Sequence, residues 1–143
     1  MSSRKIEDLT PDTQAAYYRF KAGMHEAMID YIVICTKRFG AEQDELYKKG
    51  REFRDGEWIT VDPKKCVTWT LKSKHIICEA FDIAIMQNGK IVWNADLDID
   101  KDGVPEYTEA GIIGERCGLK WGGRFVNSKG KPIPDAPHFE LFK

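Results

Sequence analysis

Apolar residues recur at helical spacing from Tyr17 through Phe20, Met24, Ala27 or Met28, to Tyr31. Thr10-Pro11-Asp12 supplies a start: a capping hydroxyl, a proline suited to the first turn, and an acid. A helix is therefore predicted to about residue 29, with one face in the core. Ile32-Val33-Ile34-Cys35 follows as a short buried strand, with Thr36-Lys37-Arg38 at its end. A second helix is predicted from about Gln43 to Gly50. Residues 51–72 mix charges with short apolar pieces and predict no regular element. In Phe81-Asp82-Ile83-Ala84-Ile85-Met86 the pattern becomes alternating, so Phe81, Ile83 and Ile85 share one face of a strand and Asp82 takes the other. Gln87-Asn88-Gly89-Lys90 is a hairpin signal joining it to residues 91–94. A third helix runs from about Pro105 or Thr108 to Cys117, with Tyr107, Ala110, Ile113 and Cys117 on one face. His138-Phe139-Glu140-Leu141-Phe142 alternates again, placing His138 opposite Phe139 and Leu141. As neighbours, the two alternating strands would present Asp82 and His138 into one cleft. The whole predicts a small α+β domain over residues 1–143: a mostly antiparallel sheet, helices packed on one side, and a cleft on the other.

Composition narrows the function. A chain of 143 residues suffices for one domain with a real core, and a net charge of −1 gives no electrostatic case for nucleic acid. The first residues lack the apolar core of a signal peptide, and no apolar run approaches the ~20 residues of a membrane helix. Synthesis in the cytosol is expected, and a monomer. Cys35, Cys66, Cys78 and Cys117 form no C-x-x-C pair, which argues against a structural zinc knuckle. Cys35 and Cys117 sit among apolar neighbours and read as core.

The chemistry lies in His75, Asp82, Asp135 and His138. Two histidines and a carboxylate are the protein ligands of a catalytic zinc site, which keeps a fourth position for water. His75, Asp82 and His138 are the candidate ligands. Asp135, three residues before His138 in a proline-punctuated turn, is the candidate acid/base. His25 lies on a helix with no paired ligand nearby and reads as an ordinary surface or core histidine. With both other histidines taken, neither a serine nor a cysteine nucleophile has a base. Separately, Asp98-x-Asp100-x-Asp102-Gly103-x5-Glu109 fits the twelve-residue calcium loop D-x-D-x-D-G-x5-E at its ligand positions. A preceding strand and Pro105 argue against it, and the alternative is an acidic surface turn.

S-x-H-x6-D followed by D/E-x-x-H resembles the LAS metallopeptidases: D-alanyl-D-alanine carboxypeptidases, phage L-alanyl-D-glutamate endolysins and the hedgehog fold. Arg38-x4-Gln43-x2-Leu46-Tyr47-x2-Gly50-Arg51 looks like another of that family's segments. So do Val67-Thr68-Trp69-Thr70-Leu71-Lys72-Ser73-Lys74-His75 and Gly118-Leu119-Lys120-Trp121-Gly122-Gly123. Together they span roughly residues 30 to 142, in order. The resemblance implies a hedgehog- or D,D-peptidase-like fold and zinc-dependent hydrolysis of a peptidoglycan stem peptide. It implies that Arg38 binds the peptide near the scissile carbonyl, where a guanidinium fork suits a carboxylate or oxyanion. Gln43 would support Arg38 beside the substrate, and Ser73 would hydrogen-bond substrate or position His75. Lys48, Lys49 and Arg51 read as the solvated end of the second helix, and residues 51–72 as an elaborated loop beside the cleft. Cys78 stands where the motif usually has glycine, which suggests that an unusual backbone angle is not needed there or that the turn differs. The compact size and missing signal peptide suggest a phage or prophage L-alanyl-D-glutamate endolysin, reaching the wall by another route. A D-alanyl-D-alanine carboxypeptidase is the close alternative. A non-catalytic, zinc-stabilised hedgehog-like binding module is the alternative of another class, disfavoured by Asp135.

Overall fold

The computed structural model describes residues 2–68, 70 and 72–143; Trp69 and Leu71, within the 67–75 signature, lie outside the described residues. Helix α1 spans Pro11–Glu26, its first turn capped by the Thr10 side chain, which accepts from the Thr13 amide. It buries Tyr17, Phe20 and Met24 as the spacing predicts. It stops before residue 29, because Met28 turns left-handed (φ 59°) and is 91% exposed, while the Ile29 amide bonds back to the Met24 carbonyl. Tyr31 thus belongs to strand β1, Tyr31–Cys35.

Helix α2, Gly40–Lys48, begins before Gln43. The unpredicted part is a hairpin, β2 (Arg51–Arg54) and β3 (Glu57–Thr60), forming its own two-stranded sheet. Asp55 and Gly56 turn it with φ of 51° and 83°, the positive pair a two-residue hairpin needs. Arg51 is not the solvated helix end expected: it is buried, its guanidinium 4.1 Å from the centre of the Tyr47 ring while donating to the Tyr47 carbonyl.

The main sheet is antiparallel, in the order β1-β4-β7-β6, with β5 pairing the far end of β4. Its members are β4 (Ala80–Gln87), β5 (Lys90–Val92), β6 (Leu119–Trp121) and β7 (His138–Leu141). Asn88 and Gly89, with φ of 53° and 77°, close the β4–β5 hairpin as predicted. Helix α3, Glu106–Arg116, buries Tyr107 and Ala110. The Tyr107 hydroxyl accepts from the Ile85 amide and donates to the Val92 carbonyl, tying the helix to the β4–β5 hairpin.

Alternation decides the faces. Phe81 and Phe139, opposite each other on β4 and β7, stack at 5.4 Å, and Phe20 of α1 covers Phe139 at 4.8 Å. These rings belong to one apolar cluster with Met24, Ile83, Ile85, Tyr107 and Trp121. Their strand neighbours Asp82 and His138 therefore emerge on the opposite face, away from α1 and α3.

Candidate active site

The strand register builds the site. Asp82 on β4 is paired with His138 on β7 and with Cys35 on β1, so three strands contribute one row. His75 joins that row from the turn leading into β4. The Ser73 hydroxyl accepts from the His75 amide at 3.2 Å, and the Arg38 amide donates to the His75 carbonyl. Of the two roles expected of Ser73, this contact fits the positioning of His75.

The turn closes through Cys78, whose φ is 61°. The left-handed angle usually given to glycine is kept here by a cysteine, at a cost of about 1–2 kcal/mol. This corrects the expectation that an unusual backbone angle is not needed at that position. Geometry explains the demand: the Cys78 amide folds back onto the His75 carbonyl, and its own carbonyl accepts from the Thr10 amide at the start of α1.

Two ring nitrogens converge on one oxygen. His75 Nε2 and His138 Nδ1 each lie 3.0 Å from Asp82 Oδ1, and the rings meet edge to face at 5.1 Å. His75 Nδ1 donates to the Thr36 carbonyl at 2.9 Å, and His138 Nε2 lies 2.9 Å from Glu140 Oε1. A carbonyl only accepts, so the proton of a neutral His75 sits on Nδ1 and its Nε2 lone pair faces a carboxylate. That arrangement holds only with positive charge at the corner. The electrostatics agree. Burial disfavours the charged His75 ring, but hydrogen bonds to Asp82 and Cys35 and the Asp82 charge raise its pKa to about 10. Burial likewise opposes charge on His138, yet hydrogen bonds to Asp82 and Glu140 raise it to about 9. Burial would also push Asp82 up, but its bonds to His138 and His75 hold it well below the usual carboxylate range. Two imidazole nitrogens and a carboxylate oxygen, each ring backed by an acceptor on its far nitrogen, suit zinc.

Cys35 is not merely core. Its Sγ lies 3.7 Å from His75 Nδ1 and from an Arg38 nitrogen, and Cys35, His75 and Asp82 offer donor atoms within 4.8 Å of one another. Cys117 fits the core reading better, being partly buried at the end of α3.

Arg38 reaches toward the cluster, 3.9 Å from Asp82 Oδ2, and donates to Gln43 Oε1 at 2.8 Å. Gln43 is fully buried and donates onward to the Thr68 hydroxyl and the Thr70 carbonyl. It is a strut between Arg38 and the residues Thr68 and Thr70, with no face open to a substrate. A cleft of about 780 Å³ opens over the cluster, lined by Arg38, Ser73, His75, Asp82, Asp135 and His138. Asp135 is held by its own backbone: its amide donates to the Gly122 carbonyl and its carbonyl accepts from the His138 amide. Burial, then the Asp82 charge, push its carboxyl up against the pull of His138, His75 and Arg38. Glu140 was missed in the sequence, although an acid two residues from a strand histidine must share its face.

Residues 67–141 match the family described as D-alanyl-D-alanine carboxypeptidase, of the M15 peptidases. The chain belongs to the M15 peptidase family. It is 30% identical over 135 residues to the peptidoglycan L-alanyl-D-glutamate endopeptidase CwlK of Bacillus subtilis, covering 94% of this chain and 74% of that protein. The fold is similar to that of the Serratia marcescens L-Ala D-Glu endopeptidase ChiX, with a TM-score of 0.65 at 19% identity over 99% of this chain and 88% of the other. It is also similar to that of the LD-carboxypeptidase LdcB, with a TM-score of 0.56 at 15% identity, over 93% and 58%. Zinc is the metal that the M15 family implies. His75, Asp82, Asp135 and His138 all fall within the residues that match the M15 family.

The acidic loop lies apart from this cleft. Asp100, Asp102 and Glu109 bring carboxylate oxygens within 4.8 Å of one another, as do Asp98, Asp100 and Glu106. Asp98 Oδ1 and Glu109 Oε2 are shielded from solvent, and among the described residues neither has a hydrogen-bond partner. Among the described residues, no helix is long and apolar enough to cross a membrane.

Proposed function

We propose that this chain is a zinc-dependent peptidoglycan hydrolase that cuts the L-alanyl-D-glutamate bond of the stem peptide. The observation carrying the reading is the convergence of His75 Nε2 and His138 Nδ1 on Asp82 Oδ1, with Asp135 in the same cleft. Similarity to CwlK supports the choice of bond.

His75, Asp82 and His138 would hold the zinc. When bound, zinc supplies Lewis acidity, lowering the pKa of water and polarising a carbonyl. Asp135 takes a proton from the attacking water and returns it to the departing amine; a carboxyl pushed up by burial suits both halves of that exchange. Arg38, steadied by Gln43, offers a guanidinium to the substrate carboxylate or to the charge developing on the carbonyl oxygen. Ser73 and the Thr36 carbonyl fix the turn and ring orientation of His75.

Digestion of purified peptidoglycan followed by mass spectrometry tests the bond. Stem peptides released with L-alanine left on the muramyl sugar are expected. Free D-alanine as the sole product would replace this reading with the D-alanyl-D-alanine carboxypeptidase suggested by the family description. A binding module without turnover is disfavoured by Asp135, which lines the cleft beside the cluster. Host lysis, as a phage or prophage endolysin, is the biological setting that the sequence resemblance suggests.

For the loop at 98–109 the proposed ligand is calcium, supported by the shielded, unpartnered oxygens of Asp98 and Glu109 within the twelve-residue spacing. Calorimetry on metal-free protein is expected to show binding heat and a rise in Tm at millimolar calcium, both lost in Asp100→Ala/Glu109→Ala. Neither effect in the wild type would leave an acidic surface turn.

A further inference from the structure

Strand β7 carries a second acid on its cleft face. Residues two apart in a strand point the same way, so Glu140 stands beside His138, with Oε1 2.9 Å from Nε2. Both side chains are shielded, at 15% and 8% exposure. Lys120 is set directly across from Glu140 by the β6–β7 register. A carboxylate oxygen at that distance from a ring nitrogen accepts. In a ligating ring, Nε2 would then carry the hydrogen, leaving Nδ1, the nitrogen that faces Asp82, as the donor. The other ring is treated differently, since His75 Nδ1 rests on the neutral Thr36 carbonyl.

The geometry points to Glu140 as a positioning residue that fixes the His138 tautomer and strengthens that ring as a zinc donor, an inference that rests on the zinc reading above. Its role is distinct from pairing β7 with β6, which the backbone ladder performs without it. A charged acceptor behind a ligating histidine raises the ring's basicity, and loss of such partners typically weakens metal binding about 10–100-fold.

The test is zinc affinity, measured by competition with a chromophoric chelator, for wild type, Glu140→Ala and Glu140→Gln. Glu140→Ala is expected to bind zinc about 10–100-fold more weakly. Glu140→Gln, which keeps an acceptor oxygen but not the charge, should recover part of the loss. Nitrogen-15 NMR of the zinc-loaded wild type should find the His138 proton on Nε2. Wild-type affinity in both variants, or a proton on Nδ1, overturns the inference. If Glu140→Ala does not fold, Glu140→Gln decides alone, and wild-type affinity in it is the overturning result. A wild type that binds no zinc defeats the metal reading itself, an outcome separate from a zinc-binding wild type with an indifferent Glu140.

Discussion

Asp135 is pressed by two influences in the same direction, burial and the neighbouring Asp82 charge, and it touches neither histidine ring through a hydrogen bond. Asp135→Asn should therefore retain zinc while turnover falls by about a hundredfold or more, the scale of a general acid/base; near-normal turnover would remove Asp135 from proton transfer. The histidines carry a different consequence. With pKa values raised to about 10 and 9, both rings are protonated in metal-free protein at neutral pH, so zinc must expel those protons. Affinity is expected to weaken as pH falls, and calorimetry in buffers of different ionisation heat should register proton release at pH 7. The sign for metal-free stability follows: raised folded pKa values contribute stability fully below the ordinary histidine value of about 6.5. That contribution should drain away as pH rises from about 6.5, and should be gone once pH has passed through the folded values of about 9 and 10. At Cys78 the left-handed backbone is the issue: Cys78→Gly should keep fold and zinc, whereas β-branched Cys78→Val should lower stability by roughly 1–2 kcal/mol in thermal melts.

Among the elements, the turn after β6 matters most to the site, because it presses on both Asp135 and His138. A Cβ at Gly122 would collide with the Asp135 carbonyl and come within 2.9 Å of His138 Cβ. Gly122→Ala should cost both zinc binding and activity. Gly40→Ala, at the start of α2 with nothing within 4 Å, should cost neither. Retained zinc affinity in Gly122→Ala would show that the turn yields without moving the ligands. The strands of this region were legible because one-sided burial writes alternation into sequence: Phe81 and Phe139 inward, Asp82 and His138 outward. The β2–β3 hairpin was not legible, since its strands are largely exposed and alternate nothing, although Asp55-Gly56 signalled the turn. Arg51 misled for a related reason: its stem and guanidinium are buried by stacking on Tyr47, an environment that charge alone does not announce. Cys35 read as core because burial and neighbourhood were visible, while its register opposite Asp82 was not.

At the scale of the molecule, the candidate ligands tie together the turn before β4, β4 itself and β7. Anything that binds this folded arrangement and not the unfolded chain stabilises it, by about 4 kcal/mol at a thousandfold excess over Kd. Removing metal with a chelator should lower Tm, and Asp82→Ala should lie below wild type while gaining little from added zinc. Equal melting with and without chelator would contradict the three-segment zinc site. The same arrangement bears on how the protein comes into being. Strand β7 lies between β4 and β6, both made earlier, so the ribosome delivers the strand bearing His138 after the sheet it must enter. Until then β4 and β6 lack their shared partner, a state prone to sticking to other chains, and the donor set is short of one member. A nascent chain halted before residue 134 should thus capture no zinc and cut nothing, so the wall-cutting chemistry is withheld until translation has passed β7.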